Sequence, residues 1–323
     1  MKKVLVIRFS SIGDIVLTSP ILRCIKHQNP EIEIHFLTKS SFDFIPDQNP
    51  YVSKVHTIKH DINEVITDLK SEKFDFIIDL HNNLRTWRLK RKLRIPSRAF
   101  PKLNLEKFML TTFKRRKMPD VHVVDRYFLA VKDLGVVKDK KGLDYFLPEN
   151  ISLPEALDKV DGFIAFAIGA QFATKKLPLN RIVELIQKID DTVVLLGGPT
   201  DVDTGNKIAK ACDNTINLCG QLHLNASALV LKEARKVISH DTGLMHIAAA
   251  FKKPIISIWG NTVPELGMYP YLPENERIFT IHQVELSCRP CSKIGHQKCP
   301  KGHFNCMELQ DLNAIVASVD RAN

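Results

Sequence analysis

The chain has 323 residues, 44% of them hydrophobic and 25% charged, with a formal net charge of +10. That length is comfortable for two domains, the composition is ordinary for a soluble globular protein, and the positive balance points to an anionic partner without naming it. No apolar stretch approaches the ~20 residues of a membrane span, which excludes a helical membrane anchor from this reading.

The first element is residues 2–9, KKVLVIRF, read as a buried strand. Its apolar run, Val4 to Ile7, is too short for the core of a signal peptide, so a cytoplasmic protein is expected. The loop Ser10-Ser11-Ile12-Gly13 then carries a carboxylate, Asp14, to the carboxyl end of that strand. Asp14 reads in two compatible ways. It caps a helix beginning near Ile15, because Asp is a favoured cap, or it faces a ligand and takes a proton from a hydroxyl. A helical pattern over 15–27 follows, then strands at 32–38 and 54–58, a helical pattern over 62–72 and a strand at 75–80.

Residues 85–117 hold thirteen Lys or Arg against one acid, Glu106, a local balance of +12. The plain reading is a solvated face; the density also suits an anionic surface such as a membrane. Trp87, Phe100, Phe108 and Phe113 are too scattered for a base-stacking platform, and no nucleic acid is expected.

The stretch 148–162, with two prolines and few strand formers, separates a second series of strands at 162–168, 192–198, 236–240 and 254–260. Strand–helix alternation of this kind predicts two Rossmann-like α/β domains with parallel sheets and a cleft, residues 1–153 and 154–323. Ligands of such sheets sit at the carboxyl ends of the strands. Three strand ends stand out. IGAQFATKKLP (168–178) offers a turn with Gly169 and the lysines Lys175 and Lys176. A lysine at a cleft rim suits a leaving pyrophosphate, though lysine pairs are usually just solvated. LLGGPTD (195–201) offers Asp201 to a ribose or to its own turn. SHDTGLMHIAAA (239–250) leads from a strand into a helix whose free N–H groups suit a phosphate, with Gly243 permitting close approach. His246, one turn on, reads by itself as a structural histidine.

Four of the seven cysteines, Cys288, Cys291, Cys299 and Cys306, fall within nineteen residues. A Cys-x2-Cys pair followed by two more has the character of a structural zinc site, and a packed cluster of reduced thiols is the equal alternative. Residues 308–320 read as a closing amphipathic helix.

Together RFSSIGDIVLTSP (8–20), DLHNNLRT (79–86), IGAQFATKKLP, LLGGPTD, SHDTGLMHIAAA, WGNTVP (259–264) and the cysteine-rich stretch resemble the heptosyltransferases of lipopolysaccharide synthesis, glycosyltransferase family nine. The resemblance implies a GT-B fold, its two Rossmann-like domains with parallel sheets facing a central cleft. The N-terminal domain would bind the acceptor and the C-terminal domain the sugar nucleotide. It implies inverting transfer from an ADP-heptose donor to a lipopolysaccharide or lipid A-type acceptor, with no cofactor required for catalysis. In its terms Asp14 is the base and Lys175 lies near the donor's phosphate and sugar. Asp241 contacts the donor sugar, and Thr242, Gly243 and Leu244 form the pyrophosphate-binding turn. Gly169, Gln171, Asp201 and His246 complete the donor side. Ser11, Gly13, Asn83, Arg85 and Arg88 form the acceptor side. Leu177 stands where members often carry Trp, and Ala170 and Gln171 replace Ser or Thr, so the pyrophosphate is left to backbone amides or Gln171. The lipid acceptor implies a cytoplasmic enzyme held peripherally on the anionic face of the inner membrane. Two other readings remain: a transferase using another sugar nucleotide or acceptor, and a non-catalytic nucleotide- or polyanion-binding protein. Binding alone needs neither Asp14 nor Lys175.

Overall fold

A computed structural model describes residues 1–274 and 278–321. The chain divides into two compact units, one of Met1–Lys102 with Val121–Phe146 and the other of Leu103–Asp120 with Leu147–Asn323.

In the first unit the strands β1 (Lys3–Ile7), β2 (Glu33–Lys39), β3 (Lys54–Ile58), β4 (Phe76–Asp79) and β5 (Ser97–Ala99) form a parallel sheet in the order β3-β2-β1-β4-β5. Val4 to Ile7 of the central strand are fully buried, which is why that strand is apolar without alternation: both faces are covered. Leu5, Ile7, Leu37, Ile58 and Ile77 pack there with Leu69 and Leu89 from helices Ile66–Ser71 and Leu84–Leu93. Ile7 lies opposite both Leu37 and Asp79. The loops after β1 and β4 therefore leave from one edge, at the point where strand order reverses.

In the second unit β6 (Ile164–Ala167), β7 (Val193–Leu196), β8 (Thr215–Asn217), β9 (Lys236–His240), β10 (Ile255–Trp259) and β11 (Phe279–Gln283) form a parallel sheet in the order β11-β10-β9-β6-β7-β8. Here the order reverses between β6 and β9, with Ala167 opposite Ser239. The closing helix is Leu312–Asp320; Asp311 caps it by accepting from Ala314 N–H at 3.0 Å, and Ile315 and Val319 enter the core.

Three details differ from the sequence expectation. The pattern over 15–27 is two helices, Ile12–Val16 and Ser19–Gln28. Pro20, in the first turn of the second helix, has no N–H to continue the ladder from the first. The units do not meet at a single boundary after residue 153. Residues 121–146 return to the first unit because the buried Arg23 holds Asp139 (2.8 Å), Asp144 and the Gly142 carbonyl. Residues 103–120 belong to the second because Leu110 and Met118 pack on Val263 and Leu266, while Arg116 pairs with Glu265 at 2.5 Å and Glu285 at 3.3 Å. The basic stretch 85–117 is thus not one face of one domain. Its helix Leu84–Leu93 lies in the first unit, whereas Lys107 and the run from Lys114 to Lys117 lie in the second.

Candidate active site

In the first unit the edge above β1 and β4 carries the candidate base. Asp14 is the third residue of helix Ile12–Val16, not its cap; Ser11 is the cap. The Asp14 Oδ2 turns back to accept from the Ser11 N–H (3.1 Å) and hydroxyl (2.9 Å), and the Ser10–Ser11 peptide is cis. Its Oδ1 meets Arg8 Nη2 at 2.5 Å. Burial alone would raise this carboxyl's pKa. Arg8 and the Ser11 donors outweigh it and hold the group below the usual carboxylate range, so Asp14 is an anion at neutral pH. Its side chain keeps 22% of its surface exposed, so it can still reach a ligand. Arg8 is itself fixed, donating to the carbonyls of Ser10 (2.8 Å) and Leu80 (2.5 Å) and to the Tyr127 hydroxyl (3.0 Å).

On the same edge the buried Asp79 ends β4. It accepts from the N–H groups of His81 (3.0 Å) and Asn82 (2.7 Å) and pairs with Lys90 at 2.7 Å, which shapes the turn. Asn83 caps helix Leu84–Leu93 through Thr86 N–H at 3.0 Å. Arg85 lies over the Phe9 ring, 5.7 Å from its centroid, and Arg88 is exposed. Of the expected acceptor-side residues, Ser11 and Gly13 lie beside the expected base, Asp14, in the first helix and its cap. Asn83 has a local capping task, and Arg85 and Arg88 extend from the helix that follows. His81 was not singled out in the sequence. It packs on Phe9 at 5.0 Å, and burial together with Arg8 lowers its pKa to about 4.

In the second unit the edge above β6 and β9 gathers two ion pairs. Lys175 Nζ meets Asp241 Oδ2 at 2.6 Å, and Lys176 Nζ meets Asp201 Oδ1 at 2.9 Å. Asp201 is buried, and its Oδ2 accepts from Gly198 N–H at 3.0 Å. Gly169 is required by this neighbour: a Cβ there would lie 2.4 Å from Asp201 Oδ2. Thr242 caps the helix Gly243–Ala250, so Gly243 and Leu244 present the first N–H groups, both partly exposed. His246 is buried inside that helix. Gln171 is exposed, and Leu177 faces the core at 4% exposure, so the missing Trp is a change of packing here.

Sequence reasoning left the supports of these pairs unassigned. Thr262 Oγ1 donates to Asp241 Oδ2 at 2.9 Å, the same oxygen that takes Lys175. The buried Arg289 donates to the carbonyls of Gly260 (2.5 Å), Val284 (2.5 Å) and Thr262 (2.9 Å) and to Gln283 Oε1 (3.1 Å). Thr174, just before Lys175, joins the Asn261 side chain (3.1 Å) and the His296 carbonyl (2.9 Å). The cysteine-rich segment therefore braces the lysine turn. WGNTVP and CRPC signal these positions only as motifs; which atoms meet depends on loops far apart in sequence.

The four clustered cysteines are unpaired by disulfides. Cys306 faces the core, and burial pushes its thiol up to about 12, with neighbouring cysteines adding to the rise. Cys291 Sγ donates to the Cys288 carbonyl at 3.2 Å, and Cys288 Sγ lies 3.9 Å from His303 Nε2. Among the described residues no three of these sulfurs come within 4.8 Å of one another; His35, His56 and Glu72 do meet that spacing, but Glu72 already takes Lys3 and Lys54. In this arrangement the thiols are neighbours without a closed ligand set.

The description "Glycosyltransferase family 9 (heptosyltransferase)" matches residues 62–300, more than half of the chain. Lipooligosaccharide heptosyltransferase 2 of Haemophilus influenzae is 25% identical over 350 aligned residues, spanning 97% of this chain and 99% of that protein. The crystal structure of a family 9 glycosyl transferase from Veillonella parvula superposes with a TM-score of 0.78 at 20% identity, covering 99% of this chain and 96% of that one. Escherichia coli heptosyltransferase WaaC, solved with ADP, gives 0.70 at 21% identity over 98% and 99% of the two chains.

Proposed function

The chain belongs to glycosyltransferase family 9, the heptosyltransferase family, and on that premise we propose that it transfers a heptose from ADP-heptose to a lipopolysaccharide core acceptor with Asp14 as general base. The observation that carries the reading is the pairing, in one chain, of an ionised and partly exposed carboxylate above β1 with a lysine–carboxylate pair and an open helix start above β6 and β9. The Haemophilus influenzae relative is a lipooligosaccharide heptosyltransferase, and the Escherichia coli heptosyltransferase was solved with ADP.

The proposed chemistry follows from these groups. An acceptor hydroxyl gives its proton to Asp14 as its oxygen bonds to C1 of the sugar. The C1–oxygen bond to the diphosphate breaks on the opposite face, and ADP leaves with the electron pair. Positive charge spreads over C1 and the ring oxygen in the transition state while negative charge grows on the diphosphate. Lys175 and the N–H groups at Gly243 and Leu244 meet that growing charge, and Asp241 holds sugar hydroxyls. Arg8 lowers the basicity of Asp14 but keeps it deprotonated, so the proton moves late, as the new bond forms.

The test is Asp14→Asn, which keeps size and a carbonyl oxygen for the Ser11 donors. The new amide N–H faces the buried Arg8, so the melting temperature should fall moderately; ADP affinity should hold, while turnover falls about 10²-fold or more. Normal turnover by this variant would remove Asp14 as the base.

A further inference from the structure

The helix Asn104–Phe113 has an apolar surface on the wrong side for a water-facing element. Leu110 packs inward on Val263 and Leu266. Yet Leu105 is 69% exposed, Phe108 53% and Phe113 57%. At about 100° per residue, Leu105 and Phe108 fall on the face away from Leu110. The rings of Phe108 and Phe113 meet edge to face with centroids 5.8 Å apart, so the exposed apolar groups form a patch. The residues that follow, Lys114, Arg115, Arg116 and Lys117, are all exposed. Arg116 is held by Glu265 and Glu285, and Lys114 Nζ donates to the Pro290 carbonyl at 2.7 Å. Arg115 and Lys117 extend from the same run.

Clustered exposed apolar groups mark an interaction surface, and cations beside them select an anionic partner. A bilayer with anionic headgroups over acyl chains answers both features at once: aromatic and aliphatic side chains enter the headgroup boundary, and the basic residues meet lipid phosphates. We infer that this helix docks the protein on an anionic lipid surface, Leu105, Phe108 and Phe113 entering the interface and Arg115 and Lys117 binding headgroup phosphates. The inference rests on the proposed lipid-anchored acceptor, which lies in such a surface. It places the docking element on the second unit, whereas the run of charge in the sequence pointed equally to the helix Leu84–Leu93 of the first.

The experiment uses the full chain and co-sedimentation with vesicles of phosphatidylethanolamine mixed with phosphatidylglycerol, beside vesicles of phosphatidylcholine alone. The parent should bind the anionic vesicles, and less so as salt rises. The combined variant Leu105→Ser, Phe108→Ser, Phe113→Ser should bind at least about tenfold more weakly, with ADP affinity and melting temperature unchanged. Trp87→Ser, on the first unit, should bind as the parent does; Trp87 is exposed but already carries the Arg91 guanidinium 5.0 Å over its ring. Equal binding to both vesicle types overturns the inference, as does undiminished binding by the triple variant or loss of binding with Trp87→Ser. A concentration-dependent dimer in sedimentation velocity, abolished by the triple variant, would mean that a second copy covers the patch instead. A soluble, deacylated acceptor separates the two proposals. The triple variant should keep transfer to it and lose transfer to acceptor embedded in vesicles. If the parent binds vesicles but transfers nothing to the soluble acceptor, the proposed reaction fails and the docking stands.

Discussion

Thr262 and Arg289 hold the Lys175–Asp241 pair from behind. The Thr262 hydroxyl is spent on Asp241, and its carbonyl is anchored by a guanidinium that also ties down Gly260, Val284 and Gln283. Without that hydroxyl Asp241 keeps Lys175 but gains freedom to rotate, and the lysine moves with it. Thr262→Val preserves shape and removes one hydrogen bond, worth about 1 kcal/mol. The expected result is a kcat lowered about fivefold with the melting temperature nearly constant, and recovery in Thr262→Ser. A kcat equal to the parent's in Thr262→Val would leave Thr262 without a positioning role. A residue such as this cannot be picked from the sequence, because its task is defined by an oxygen atom some twenty positions away (Asp241) and by a loop that folds back later.

At the scale of elements, the strands that the sequence revealed are, apart from the edge strand β3, those buried over most of their length. β1, β4, β6, β7 and β10 are apolar runs with at most one polar residue, closed by polar turns; β9 is Lys-Val-Ile-Ser-His, β2 adds Glu33, His35, Thr38 and Lys39, and β3 exposes Lys54 and Thr57. The three that it did not reveal, β5, β8 and β11, are partly exposed; two have only three residues, Ser-Arg-Ala and Thr-Ile-Asn, and all three are sheet edges. These three edge strands bury too little to need an apolar sequence, so hydrophobic pattern is silent there, whereas the edge strand β3 keeps His56 and Ile58 buried and stays legible. The candidate site was legible for a related reason: its residues sit where strands stop, and a Gly, Asp or Lys after an apolar run shows plainly. The cysteine-rich segment is the harder case, since spacing suggests a metal and the neighbouring sulfurs do not close into a ligand set. The proposal that it holds zinc predicts about one equivalent per chain in gently purified protein, and a lower melting temperature after a strong chelator. Because this segment braces Thr174 and Asn261, the chelated protein should also bind ADP more weakly. Metal-free protein with unchanged melting would leave the packed thiols alone.

For the whole molecule, buried neutral histidines set the response to acid. His240 is fully buried, and its Nε2 accepts from Leu177 N–H at 3.0 Å, which a protonated ring could not do. Burial, helped by Lys176, lowers its pKa to about 3, and burial lowers His56 to about 4. The unfolded chain takes up these protons from about pH 6.5 downward and the folded chain does not, so stability falls across that window. His240 alone accounts for about 2 kcal/mol of loss at pH 5. Glu72, held to about 2 by Lys54 and Lys3, adds a further loss only as pH drops below the ordinary carboxylate range. Calorimetry should show the melting temperature declining steadily from pH 6.5 to 4, with proton uptake on unfolding at pH 5; a flat profile would contradict neutral His240. The threading of the two units bears on how the protein is made. During synthesis Leu103–Asp120 leaves the ribosome between two pieces of the first unit. At about 5–20 residues per second, Val263 and Leu266 follow roughly 150 residues later, on the order of ten seconds. Through that interval Val121–Phe146 can already close on Arg23 and finish the first unit, while Leu110 and Met118 are thrown out from it as an uncovered loop. A hybrid gene joined after residue 153 would make that orphan permanent.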